Sequence, residues 1–138
     1  HSSAASDVYK RQVADSDEQA LDQAASSFEW YPKHGAKIIG SVAQWLREME
    51  DDLGTYEYLG STQDRVEDGS VDFLTIDYLR DTNACVCGDP ERAIEMFKAY
   101  EATGCDVVFC LFNPYEVSHE ACMQTIELMG EHVIPAFK

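Results

Sequence analysis

Hydrophobic positions along the chain follow two rhythms, and their clearest alternation lies between residues 83 and 112, NACVCGDPERAIEMFKAYEATGCDVVFCLF. Two short unbroken apolar runs, 84–87 and 107–112, flank a segment in which Ala93, Ile94, Phe97 and Tyr100 recur at helical spacing. Asp89 stands at the N-cap position, Pro90 at the first helical position and Glu91 in the first turn, where the helix dipole favours a carboxylate. Gly104 supplies the left-handed residue that ends the helix. Unbroken apolar strands suggest that both faces are covered, as in a parallel sheet. The reading is therefore a strand–helix–strand unit whose strands are parallel neighbours, with the helix crossing between them.

The N-terminal half is helical in pattern. Ser16 with Gln19 forms a capping box that opens a helix through about residue 30, with Leu21, Ala24, Ala25 and Phe28 on one face. Pro32 and Gly35 are expected to interrupt it. A second helix, 36–53, carries Ile38, Ile39, Val42, Trp45, Leu46, Met49 and Leu53, and Gly54 ends it. Residues 54–69 are polar and turn-rich, which predicts a long surface loop anchored by Tyr56 and Tyr58, with a helical turn near 63–67. A short helical stretch over 70–80 leads to the first strand. After the second strand Asn113-Pro114 breaks the pattern, and Ser118 caps a final helix with Ala121, Cys122, Ile126 and Met129 on its apolar face.

The first twelve residues, HSSAASDVYKRQ, have no apolar periodicity and do not share the acidity of residues 13–138. The run resembles an adapter-derived sequence found at the broken ends of assembled environmental reads. On that resemblance residues 1–12 are set aside as a non-native leader, and residues 13–138 are expected to be the C-terminal part of one domain. An independent α/β domain usually has about five or six strands, and only two are evident here.

The net charge of −16 argues against a nucleic-acid partner, which requires a basic footprint. No run of about eighteen apolar residues is present to span a bilayer. Five cysteines leave one unpaired in any disulfide scheme, which points to a reducing, cytoplasmic setting. Cys85 and Cys87 fall on one face of a strand with no histidine pair at zinc-finger spacing, so they read as small buried hydrophobes rather than metal ligands.

The order of these segments, with Cys87-Gly88-Asp89-Pro90-Glu91, Gly104-Cys105-Asp106, Cys110-Leu111-Phe112, Ser118-His119-Glu120, Ile126-Glu127-Leu128-Met129-Gly130 and Val133-Ile134-Pro135, resembles the C-terminal end of the luciferase-like flavin-dependent monooxygenases. Phe28-Glu29-Trp30-Tyr31 adds weaker support. The resemblance implies the C-terminal portion of a (β/α)8 barrel, with 84–87 as strand seven and 107–112 as strand eight. It also implies reduced FMN from a separate flavin reductase, O2 and a small organic substrate, the flavin carrying the chemistry. A deazaflavin-dependent oxidoreductase of the same superfamily is the alternative, and a non-catalytic acidic helical module using Tyr56 and Tyr58 is a third. Oligomerisation is compatible with each.

The family's better-known catalytic positions lie on earlier strands, so no catalytic residue is assigned in this chain. Barrel sites gather at the carboxyl ends of strands, which makes Phe112 and Asn113 the candidates for lining a substrate or flavin cavity, and Cys87 and Gly88 weaker ones. The Gly88-Asp89-Pro90 turn could cradle a phosphate at a helix N-terminus, but Asp89 in the cap would repel it. Asn113 could equally form an Asx-type turn before Pro114. His119 reads as a solvated first-turn residue, and Trp30 and Trp45 as packing.

Overall fold

The computed structural model describes residues 6–48 and 57–137. It divides into two compact units, one holding the sheet and running through Phe28 and again from Ile76, the other comprising Glu29–Thr75.

The sheet unit contains three parallel strands, β1 (Ser6–Val13), β2 (Cys85–Gly88) and β3 (Val107–Leu111), in the order β2-β1-β3. Lys10 to Val13 pair with Cys85 to Gly88, and Ser6 to Lys10 pair with Val107 to Leu111. This corrects the expectation that the two apolar strands are neighbours. The two apolar strands are parallel to a common neighbour rather than to each other, so they stand about 9.6 Å apart, twice the strand spacing. The central strand is built largely from the segment set aside as a leader. It completes the sheet because its backbone hydrogen-bonds on both sides, which neither apolar run could do for the other once separated.

The expected (β/α)8 barrel segment is overturned as well. A barrel needs a staggered sheet that closes on itself, about eight strands in this class. Here helices predominate, and β2 and β3 end a three-stranded sheet on either side. Nor are both faces of β3 covered: Val107 and Phe109 are 49% and 55% exposed, while Val108 and Cys110 turn toward the core.

The core lies on one face of the sheet. Helix α4 (Pro90–Glu101) crosses from β2 to β3, and its Ala93, Met96, Phe97 and Tyr100 pack with Val13 and Val86. The chain's end, a π turn Met129–Val133 and a 3-10 turn Ile134–Phe137 after helix α5 (His119–Leu128), adds Met129 and Val133. Arg11, fully buried on β1, has its guanidinium 5.0 Å from the Phe97 ring centre and 5.2 Å from that of Tyr100, with Nη1 donating to the Lys10 carbonyl at 2.9 Å. Aromatic faces attract such a cation and allow it into the core. At the end of β1, the Thr125 hydroxyl of α5 accepts from Val13 N–H at 3.1 Å and donates to Val13 C=O at 3.0 Å, replacing the strand partner that β3 no longer supplies.

Helix α1 (Asp17–Glu48) passes through both Pro32 and Gly35 without a break. Proline removes one donor, normally at a cost of about 3 kcal/mol in a helix interior. The apolar positions 20, 24, 28, 31, 35, 38, 42 and 45 nevertheless keep one helical phase across it, and that phase is what persists. Ser16 caps the helix, its Oγ accepting from Gln19 N–H at 3.2 Å, while Gln19 Oε1 accepts from the N–H of Asp15, the residue before the cap, at 3.2 Å.

In the Glu29–Thr75 unit the expected loop is largely helix α2 (Glu57–Glu67). It approaches α1 closely at Gly40, where a Cβ would lie 3.1 Å from Gln63 Cα. Tyr56 lies outside the described residues, as does the side chain of Tyr58. Helix α3 (Ile76–Asp81) belongs to the sheet unit and delivers the chain to β2 through Asn83, whose left-handed backbone (φ 55°) is fixed by the Tyr100 hydroxyl donating to its carbonyl.

Candidate functional site at the strand ends

In parallel sheets, ligands gather where strands end and helices begin. The carboxyl ends of β1 and β2 lie side by side here, Val13 opposite Gly88, and α1 and α4 start directly beyond them. A carboxylate, not an open cradle, occupies this place. Asp17, in the first turn of α1, accepts from Asp89 N–H at 3.0 Å, from Arg92 Nε at 2.6 Å and from Arg80 Nη2 at 2.8 Å. Burial pushes the Asp17 carboxyl up, but the Asp89 N–H and the two guanidinium groups outweigh it and hold the group below the ordinary carboxylate range.

Gly88 is the residue that makes this convergence fit. A Cβ there would lie 2.4 Å from Asp17 Oδ1 and 2.5 Å from Arg92 Cδ, so the carboxylate and the arginine stem reach their positions only over a bare Cα. Asp89 caps α4 as its sequence position implies, its Oδ1 accepting from Arg92 N–H at 2.9 Å. The N-terminus of α4 thus has two acidic side chains on its free N–H groups.

Cys87, beside this cluster, is fully buried, and burial pushes its thiol up to about 12; Cys85 is pushed up to about 11 for the same reason. Neither supplies a thiolate nucleophile near neutrality. All five cysteines are free thiols, and the described residues hold no cluster of three or more His, Cys, Asp or Glu side chains able to bind a metal.

Phe112 and Asn113 lie at the end of β3, on the other side of β1 from Cys87 and Gly88, so the four candidates form no single group. Phe112 packs against the core beneath α4. Asn113 closes a loop, its Oδ1 accepting from Val117 N–H at 3.1 Å and its Nδ2 donating to Val117 C=O at 3.2 Å, which occupies both ends of the amide. His119 begins α5 and is exposed, next to the Ser118 cap that accepts from Ala121 N–H at 3.1 Å.

A cavity of about 400 Å3 opens elsewhere, between the end of α4, the start of β3 and the C-terminal turns. Phe97, Cys110, Met129, Val133 and Phe137 give it an apolar wall, and the exposed carboxylates Glu101 and Asp106 its acidic groups. A flavin phosphate requires cationic or N–H donors. The α4 N-terminus already has Asp17 and Asp89 as acceptors, and the cavity offers carboxylates of the wrong sign, so the described residues do not fit that group. Asp17, Arg80 and Arg92 are not singled out by the sequence; the one local signal is an acidic residue immediately after a capping serine. No family model, curated protein or solved structure matches the chain.

Proposed function

We propose that the chain is the supporting part of a luciferase-like flavin-dependent monooxygenase, an oxidoreductase that uses reduced FMN from a separate reductase and O2 to oxidise a small organic molecule. The observation that carries this reading is the ordered set Gly88-Asp89-Pro90-Glu91, Gly104-Cys105-Asp106, Ser118-His119-Glu120 and Val133-Ile134-Pro135. Each member marks a boundary: the cap of α4, the left-handed Gly104 (φ 82°) in the turn that follows it, the cap of α5, and the chain's final turns. In this reading the chain contributes packing and the closed Asp17 cluster, while the flavin and the catalytic groups belong to other parts of the enzyme. The deazaflavin-dependent alternative shares the same boundaries and differs in its cofactor and in transferring a hydride without oxygen.

Five free thiols support a reducing, cytoplasmic setting. No helix among the described residues is long and apolar enough to cross a membrane.

The test is to recover the gene with its flanking DNA and purify the longer product. Its oxidation of reduced FMN and of reduced deazaflavin is then followed with and without O2. Oxygen-dependent turnover of reduced FMN is expected. A product that binds and turns over neither cofactor would overturn the reading.

A further inference from the structure

The cavity of about 400 Å3 beside the end of α4 has the size of a small-molecule site, and its apolar and charged groups are segregated. Phe97, Val108, Met129, Val133 and Phe137 supply the wall, with the Phe97 and Phe137 rings meeting edge to face at 6.3 Å. Met129 and Val133 belong to the π turn, in which Ile134 N–H donates to the Met129 carbonyl five residues back. Turns of this kind are rare and are frequent at functional sites.

Each charged residue that lines the cavity is a carboxylate. Glu101 is the last residue of α4, and the turn through Gly104, whose N–H donates to the Glu101 carbonyl at 2.9 Å, brings the chain back to Asp106. Both residues are exposed, and the negative pole of the α4 dipole lies at the same end. Two cations stand near the cavity without lining it. Lys98 is exposed in the last turn of α4, and Arg11 is fully buried with its guanidinium 5.0 Å from the Phe97 ring centre. Arg11 sets a polarity: it repels positive charge from the inner side of Phe97, while the exposed carboxylates attract it.

We propose that this cavity binds a small amphiphilic cation, an organic ammonium whose apolar body lies against Phe97, Met129 and Val133 and whose N–H groups donate to Glu101 and Asp106. An anion with the same body is rejected by sign, and a neutral analogue forgoes the charge-assisted hydrogen bonds. The site does not depend on the flavin reading.

Octylammonium, with octanol as its uncharged counterpart, tests this on the full chain by methyl-resolved NMR titration at about 0.15 M salt, which screens the diffuse attraction of a −16 chain for any cation. Saturable binding at about 0.1–1 mM is expected, with the Met129 and Val133 methyl signals shifting. Octanol should bind about fivefold or more weakly. Glu101→Gln combined with Asp106→Asn replaces two exposed acceptors and leaves the core untouched; it should weaken octylammonium about fivefold or more and leave octanol unchanged. Glu91→Gln, at an exposed position in the first turn of α4, should alter octylammonium binding by less than about twofold. No saturable shift up to about 10 mM, shifts that miss Met129 and Val133, equal affinity for octylammonium and octanol, or an effect of the cavity pair no larger than that of Glu91→Gln would overturn the proposal.

Discussion

Asp17 and Arg92 lie 75 residues apart in sequence and meet at 2.6 Å, the guanidinium Nε donating to Asp17 Oδ2. With Arg80 at 2.8 Å on the same oxygen and Asp89 N–H at 3.0 Å on the other, this contact joins the start of α1 to α3 and to the cap of α4. It also fills the place where the sheet would otherwise receive a ligand. The carboxylate and its three donors thus form a structural clamp between these elements.

Replacing Asp17 with Asn should therefore destabilise the chain by about 1–2 kcal/mol, a charged hydrogen-bond value reduced for an acceptor that is one-third exposed. The pH dependence has a definite sign. A carboxyl whose folded pKa is depressed contributes stability that is fully present above its unfolded pKa and is lost as pH falls through the folded one. Denaturant melts of wild type and Asp17→Asn should differ at neutral pH and converge in acid. A gap that is constant with pH would show that the clamp is not electrostatic.

Gly88→Ala tests the close approach from the other side. The added methyl would sit 2.4 Å from Asp17 Oδ1, so the carboxylate must move, at a cost of about 1–3 kcal/mol. Because the clash and the clamp share Asp17, the pair should be non-additive. Gly88→Ala should cost less in an Asp17→Ala background, and a double-mutant cycle that closes with no coupling energy would contradict the geometry.

The thiols give a chemical readout. Native protein treated with iodoacetamide at about pH 8 should leave Cys85 and Cys87 unmodified, since both are buried thiols rather than thiolates there. Folded pKa values raised from 9.0 to about 11 and 12 imply that stability is present below about pH 9 and is lost as pH rises toward those values. Peptide mapping after alkylation and an alkaline unfolding series check the two halves of this statement.

Local chemistry makes part of this structure readable in advance. Asp89-Pro90, Gly104, Ser118 and the Ser16 cap act through neighbours one to four residues away, and each lies where its residue type belongs. Strand β1 is not readable because its buried residues include Arg11 and Gln12, which only tertiary partners make tolerable: aromatic rings for the guanidinium, Gln23 and the Ala121 carbonyl for the amide. Pro32 and Gly35 read as a break only when breakers are weighed more heavily than the phase that continues across them. Gly88 and Asn113 do stand at strand ends, but the sheet order that separates them depends on β1. The Asp17 clamp depends on three segments meeting, and no single stretch of sequence carries that information.

The central claim is that the described strand ends are closed by this chain's own side chains and hold structure rather than cofactor. Fluorescence titration of the full 138-residue chain with FMN, repeated with a deazaflavin, tests it most directly. The account predicts no saturable binding up to about 100 μM, weaker than about −5.5 kcal/mol. Stoichiometric, saturable flavin binding, abolished by substitutions around Gly88 or Asn113, would contradict it.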